Sequence, residues 1–529
     1  MNVNRVLLHS TRLYNNSLLL LDGKTMALFI QQSTVKLLIL VTALCVSIGT
    51  LAFENLNTST EYGKKYAFIG ATILNPATDL PISNSTILVE QGRIVKIQPC
   101  SETIPDDYTV VDTKNKWIMP GLIDGHIHMA QSGSAFTRPD TFDATKISSY
   151  ADDQLWLKNN LPTLLQNYLK LGVTTVIDMG GPSEYIDDYR AITESGIYPD
   201  IYAAGALLSP FEVPQLDLNG ETFTQVLSAK DTVAMVEKQL SLKTELIKFV
   251  WSQETGLSME QLTELYKPAM ELAKKHNKRV AVHAEGIHDA RMAIKAGADI
   301  LVHGVMNDPI DDDFIELMKR NNVSYMPTLT ANIHYTELFK GELSFTAFEH
   351  QYSHKEVINS FDTLMENVDK TGQIFKLLLK YVPTVDMSDA ELATLSERDQ
   401  SIIKQLRNPF SSKNEQIQKQ NLKKAIDSGV NVAFGTDAGN PGTLHAASVY
   451  GEFLAWQQAG VSNQAILKAA TYGNAKALHL ESKFGTLTAG KYANFVVLDN
   501  NPYKALETLT KPVMTIKRGV IIKGDNGAN

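Results

Sequence analysis

Six side chains in this sequence have types and positions suited to holding divalent metal: His126, His128, Lys248, His283, His303 and Asp437. His126 and His128 close the run Pro120-Gly121-Leu122-Ile123-Asp124-Gly125-His126-Ile127-His128, where an apolar strand follows Pro-Gly. Residues two apart in a strand face the same side, so the two imidazoles share a face. Neutral imidazoles paired in this way chelate a borderline metal such as zinc. His283 and His303 each follow directly on an apolar run, in VAVHA and ILVHG. Taken alone, each reads as a core histidine with a satisfied hydrogen bond. Asp437, in Phe434-Gly435-Thr436-Asp437-Ala438-Gly439, reads alone as a helix cap. All of these plain readings would have to hold at four strand ends together, so a metal site is the expectation.

Lys248, in Leu246-Ile247-Lys248-Phe249-Val250, needs a different chemistry. An ammonium repels a divalent cation. Near metal ions its pKa should fall, and the neutral amine can then add carbon dioxide. The carbamate is an anionic two-oxygen ligand able to bridge two metals. The plainer role is a buried lysine paired with a carboxylate. His445 follows Asp437 in a glycine-rich loop and is read as a support behind the ligands or a substrate contact.

These residues require strands that end on one side of the fold. Short apolar runs at Val173–Met179, Leu246–Val250, Arg279–Ala284, Asp299–Gly304 and Val430–Gly435 alternate with helical stretches. One helix, Ser258 to Asn277, opens with a Ser258/Gln261 capping box, and another runs from Lys413 to about Ser428. Such alternation predicts an α/β fold with a parallel sheet. About eight strand candidates suit a (β/α)8 TIM barrel, which carries its chemistry at the C-terminal strand ends. The glycine-rich dinucleotide fingerprint is missing after the first strand. The polar stretch from His334 to about Phe410 breaks the alternation and reads as a helical insertion that covers the site. Both ends of the chain read as short strands, with turns at Gln91-Gly92 and Arg518-Gly519, and are expected to pair into a small β-sandwich domain. The predicted organisation is thus a leader over 1–53, a composite β-sandwich from 54–116 and 484–529, and a metal-dependent barrel over 117–483.

Composition bounds the rest. The chain has 529 residues, 44% hydrophobic and 20% charged, which excludes a disordered, collagen-like or multi-span membrane protein. A net charge of −9 argues against a nucleic-acid partner. Two cysteines, Cys45 and Cys100, supply neither a disulfide framework nor a cysteine zinc site. The uncharged run Leu37–Phe53 after Lys36 resembles the apolar region of a signal peptide, with Thr50-Leu51-Ala52 as a cleavage site. Met26 offers a better start for such a signal than Met1. The expected location is periplasmic or secreted. The alternative is an N-terminal membrane anchor with an extracytoplasmic catalytic domain.

The stretches IMPGLIDGHIHM, LIKFVW, VAVHAEG, ADILVHG, FGTDAGNPG and FGTLTAGKYANFVVLDNNP resemble the amidohydrolase superfamily from about Tyr66 to Gly524. They are most similar to its imidazolonepropionase-like and Xaa-Pro dipeptidase-like branch with a carboxylated lysine. The resemblance implies that His126, His128 and Asp437 hold one divalent ion and that His283 and His303 hold another. Carboxylated Lys248 and a hydroxide would bridge the two. Zinc suits a histidine-rich, cysteine-free set. The implied activity is metal-assisted hydrolysis of an amide bond in a dipeptide or cyclic amide, with Asp437 moving the proton to the leaving nitrogen. A lactonase or phosphotriesterase could use the same centre, and a non-catalytic metal-bearing envelope binding protein is the other alternative. Two departures stand out. Asn494 replaces a usual Asp, and Phe249-Val250-Trp251-Ser252-Gln253 stands where many dipeptidase-like relatives carry Ser-Gly-Gly. The expected partner is a small-molecule substrate; oligomeric state is not legible.

Overall fold

The computed structural model describes residues 63–524 except 79, 219 and 253–254. The leader over 1–53, with Met26 and Cys45, lies outside the described residues, as does Gln253. The chain begins with five strands: β1 (Tyr66–Ile73), β2 (Ile82–Glu90), β3 (Arg93–Pro99), β4 (Thr109–Asp112) and β5 (Trp117–Pro120). Nine parallel-paired strands follow: β6 (Leu122–Ile127), β7 (Val173–Asp178), β8 (Asp200–Ala203), β9 (Leu207–Ser209), β10 (Phe223–Gln225), β11 (Leu246–Val250), β12 (Arg279–His283), β13 (Ile300–Val302) and β14 (Ser324–Met326). The chain closes with β15 (Phe495–Leu498), β16 (Met514–Lys517) and β17 (Val520–Lys523).

The first and last groups form one hydrogen-bonded sheet in the order β17-β16-β15-β5-β1-β2-β3, with β4 beside β1. The two ends of the chain meet where β15 runs antiparallel to β5, Val497 opposite Ile118. Both expected turns are present. Gln91 and Gly92 have φ of 47° and 71°, and Arg518 and Gly519 have 46° and 80°. A two-residue hairpin turn with positive φ at both positions matches the twist of the strands it joins. Phe68, Ile87, Ile118, Phe495, Val497 and Ile516 are buried at the centre of this sheet.

The remaining strands form two parallel sheets, β6-β7-β8 and β10-β9-β11-β12-β13-β14. Glu245 N–H donates to Ala203 O at 3.0 Å, linking the approach to β11 with β8. Val430–Gly435, expected as a strand, is instead an extended segment held by isolated bridges. On one side Tyr325 N–H donates to Asn431 O and Ala433 N–H donates to Tyr325 O, at 3.0 and 2.9 Å. On the other, Gly125 N–H donates to Phe434 O at 3.0 Å and Asp437 N–H donates to His126 O at 2.7 Å. The segment thus bonds first to β14 and then to β6, with no continuous ladder to either. Gly435 is needed here: a Cβ would come within 2.6 Å of His126 Cβ.

Helices lie between the parallel strands, including Tyr150–Lys170, Ile186–Ser195, Ala229–Ser241, Met259–Lys275, Ile287–Ala296 and Asp312–Arg320. Ser258 and Gln261 form the expected reciprocal cap. The insertion is helical too, but it opens with the helix Leu329–Lys340, a few residues before the expected start. Its Phe339, Phe361 and Phe375 pack on Phe142, from the loop after β6, as one apolar cluster. Glu397–Phe410 ends the insertion, and Ser412–Asp427 resumes the alternation.

Candidate metal centre

All six predicted ligand positions sit at or near one end of the parallel strands. His126 is the fifth residue of β6, and His128 lies one past its end. Lys248 is central in β11, His283 ends β12, and His303 follows β13. Asp437 closes the extended segment. Its carboxylate Oδ1 lies 3.2 Å from His126 Nε2 and 3.1 Å from His128 Nε2, and Oδ2 is 3.6 Å from His303 Nδ1. The rings of His283 and His303 are 4.6 Å apart, and those of His126 and His303 5.0 Å. His126, His303 and Asp437 each offer a donor atom within 4.8 Å of the others. This grouping crosses the division implied by the resemblance, in which His126 and His303 serve different ions.

Backbone strain contributes to this convergence. His303 and Asp437 have φ of 72° and 62°, in the left-handed region. Non-glycine residues held there cost about 1–3 kcal/mol each, a cost that persists where surrounding structure over-determines the conformation. The surroundings here do so. Asp124 accepts from Thr436 N–H at 3.0 Å and from Thr436 Oγ1 at 2.7 Å, tying β6 to the residue before Asp437. His303 Nδ1 pairs with Thr328 Oγ1 at 3.0 Å.

The electrostatics suit a cation. Burial pulls the His126 and His303 imidazoles well below their usual pKa, and pulls His283 down to about 3. These rings are therefore neutral donors. Burial raises the Asp437 carboxyl, but His126 and the other histidines outweigh it and hold the group well below its usual value. His128 Nδ1 lies 2.8 Å from Gly180 O. A carbonyl can only accept, so Nδ1 carries a proton and Nε2 is the nitrogen left to face Asp437. It lies 3.1 Å from a carboxylate oxygen. Both nitrogens of His126 and Oδ1 of Asp437 are buried without a hydrogen-bond partner. Buried polar atoms left without partners are costly unless a cation lies among them. The donor set therefore fits divalent metal.

Lys248 is buried, and burial lowers its ammonium to about 7, with the charge of Asp437 opposing. A substantial fraction of neutral amine at neutral pH follows. Of the two roles foreseen for His445, its contacts suit the supporting one. Nε2 contacts Gln131 O at 2.8 Å and Nδ1 contacts the Tyr168 hydroxyl at 3.2 Å. With both nitrogens engaged by protein, it braces the loop that follows His128.

The sequence reading passed over Asp124, Thr328, Arg138, Tyr335 and Asn440. Asp124 had a signal, a carboxylate inside an apolar strand. The others are brought to the site only by the fold. Arg138 lies on the loop after β6, Tyr335 on the first helix of the insertion, and Asn440 three residues past Asp437.

Comparison with known proteins finds relatives over most of the chain. An imidazolonepropionase of Picrophilus torridus is 20% identical over 453 residues, covering 84% of this chain and 92% of its own. A dihydroorotase of Syntrophobacter fumaroxidans is 36% identical over 75 residues, 13% of this chain and 17% of its own length. Among solved structures, a Xaa-Pro dipeptidase with bound methionine in its active site has a TM-score of 0.61 at 20% identity, covering 87% of this chain and 100% of its own. The ochratoxinase of A. niger matches with a TM-score of 0.61 at 18% identity, over 88% and 97%. These two establish likeness of fold. The model of the amidohydrolase family matches residues 117–368 and 343–525, so this chain, a hydrolase, belongs to the amidohydrolase family.

Proposed function

We propose that the chain is a metal-dependent hydrolase that cleaves an amide bond in a dipeptide or cyclic amide. The observation that carries this reading is the buried, unpartnered His126 beside Asp437 Oδ1, with Nε2 of His128 facing the same oxygen. His126, His128 and Asp437 would hold one ion and His283 and His303 another. Nitrogen-rich donors without sulfur suit zinc. Lys248 would bridge them after its neutral amine takes up carbon dioxide and releases a proton. When bound, such ions bring the pKa of water toward about 7 and polarise a carbonyl.

The protein's own groups then order the proton transfers. Asp437 is held ionised at the meeting point of His126, His128 and His303, so it can accept the proton of the attacking water. The same carboxyl delivers that proton to the leaving nitrogen. Gly180 O holds the His128 ring and Thr328 holds the His303 ring, so neither turns during turnover.

The ring of backbone hydrogen bonds from β6 through β14 and the Val430–Gly435 segment supports a (β/α)8 barrel over 117–483. The sheet built from both ends supports a companion β domain over 54–116 and 484–529, though its strands form one sheet and not the two of a sandwich. The apolar run Leu37–Phe53 supports a periplasmic or secreted enzyme, or one on an N-terminal anchor. The test is a screen of the purified protein with dipeptides, N-acyl amino acids, cyclic amides and lactones, with and without chelator. Chelator-sensitive amide hydrolysis is expected. Lactone turnover alone would replace the amide reading, and two bound metals without any hydrolysis would overturn it.

A further inference from the structure

Arg138, Tyr335 and Asn440 form a polar cluster beside the metal centre for which the reaction chemistry has no use. Arg138 grips Asp140 with one edge of its guanidinium, Nε to Oδ1 at 2.9 Å and Nη2 to Oδ2 at 2.7 Å. Nη1 reaches Asn440 Oδ1 at 3.3 Å, and the Tyr335 hydroxyl donates to the same oxygen at 3.2 Å. Asn440 Nδ2 in turn donates to Asp437 O at 3.1 Å, which fixes the cluster to the metal-binding segment. Arg138 and Tyr335 both lie close enough to feel the charge of Asp437. The Arg138 side chain is 21% exposed, so it is not sealed in the core.

A guanidinium has five N–H donors in a planar fork. Asp140 takes the Nε edge, and the Nη1–Nη2 edge retains donors beyond the one directed at Asn440. A hydroxyl from the insertion and a guanidinium from the β6 loop thus converge on one acceptor, a neutral amide oxygen. A carboxylate oxygen at that point satisfies the same donors with a full charge, and charge-assisted bonds are roughly twice as strong as neutral ones.

We propose that Arg138 and Tyr335 form a carboxylate-recognition subsite, so that the substrate is an amide bearing a free carboxylate near the scissile bond. This rests on the hydrolase reading and deepens it: an acyl amino acid or dipeptide fits, and a neutral cyclic amide does not. Arg138 supplies the fork and Tyr335 the second donor.

Equilibrium binding separates this from turnover. The metal-loaded full-length protein is titrated calorimetrically with a panel of N-benzyl amino acids, which keep the carboxylate but have no acyl amide to cleave, and with their carboxamides. The wild type is expected to bind the best acid at least about 30-fold more tightly than its amide. Arg138→Met should abolish that preference with metal content unchanged. Arg138→Lys should retain part of it, since the charge persists without the fork. Tyr335→Phe, which removes only a hydroxyl, should weaken acid binding about three- to tenfold and leave amide binding unchanged. Equal binding of acid and amide, no acid binding at all, or a preference that survives in soluble, metal-replete Arg138→Met each overturn the proposal. If Arg138→Met does not fold, an unaltered preference in Tyr335→Phe together with Arg138→Lys overturns it. Acid binding without hydrolysis of any substrate would sink the hydrolase reading and leave this subsite standing.

Discussion

His128 and Asp437 face each other at 3.1 Å, with the Nδ1–H of His128 turned to Gly180 O. Beside them both nitrogens of His126 are buried without a partner, an arrangement that a cation among these atoms would relieve. Asp437→Asn keeps an oxygen donor but loses the basic carboxylate. Metal content should fall little, while kcat should drop by about 10²–10⁴. Near-normal turnover in a metal-replete Asn variant would remove the proton-transfer role. His445 gives a prediction on stability. Burial lowers its pKa from 6.5 to about 4. An unfolded histidine takes up a proton near 6.5 that the folded protein refuses until about 4, so unfolding binds protons throughout that window. Stability therefore falls as pH falls from about 6.5 to about 4. In metal-free protein, His445→Gln should make the acid limb of Tm against pH shallower. An unchanged limb would show that His283 and the other buried histidines account for it alone.

Among the elements, the helix Leu329–Lys340 links the insertion to the site, and its first turn is held by one residue. Buried Glu452 accepts from Leu329 N–H at 3.0 Å and from Thr330 N–H at 2.8 Å. It also takes the Thr330 hydroxyl at 2.6 Å and Trp456 Nε1 at 2.7 Å. Thr328, the residue before this turn, contacts His303. Glu452→Leu would leave four buried donors without an acceptor, which should cost about 3–5 kcal/mol in denaturant unfolding and weaken metal binding through His303. A variant as stable as wild type would show that water or a rearranged turn takes over. Nothing local in Ser448-Val449-Tyr450-Gly451-Glu452 foretells this, since a carboxylate on a helix is ordinarily solvated. By contrast, the Ser258/Gln261 cap was legible, because both partners lie within one turn. Ser258→Ala should cost only about 1 kcal/mol, measurable as a small shift in the unfolding midpoint.

At the scale of the whole molecule, the end sheet and the parallel strands meet at Asp200. This carboxylate, at the start of β8, is fully buried. It receives Lys517 Nζ at 2.9 Å, Arg518 Nη2 at 2.5 Å and Asn494 Nδ2 at 3.1 Å. Asn494 also accepts Arg518 N–H at 2.8 Å through its Oδ1. The departure from the usual Asp at 494 has a clear consequence here: a carboxylate at that position would face the Asp200 carboxylate. Asp200→Ala strands the fully buried Lys517 without its counter-charge and should destabilise the fold by about 3–5 kcal/mol. The loss should appear in a single unfolding transition, because the cluster joins the C-terminal strands of the end sheet to the parallel core. Retention of wild-type stability would mean that Lys517 sheds its proton, toward which burial already drives it by lowering its pKa to about 8.

What the sequence determined by itself was chemistry with local grammar. A strand of period two puts His126 and His128 on one face. Apolar runs ending in His283 and His303 place donors at strand ends, and Gln-Gly and Arg-Gly dipeptides make tight turns. Each depends on neighbours a few residues apart, where backbone geometry alone sets the outcome. What only the tertiary structure decided involves partners hundreds of residues distant. Val430–Gly435 reads as a strand yet divides its bonds between β14 and β6. His445 is claimed by Gln131 and Tyr168, and Arg138, Tyr335 and Asn440 converge from three separate segments. A hydrogen bond needs its partners within about 3 Å, and the chain brings such groups that close only after the strands have packed. The donor types were therefore readable in one dimension. The groups that aim them took three.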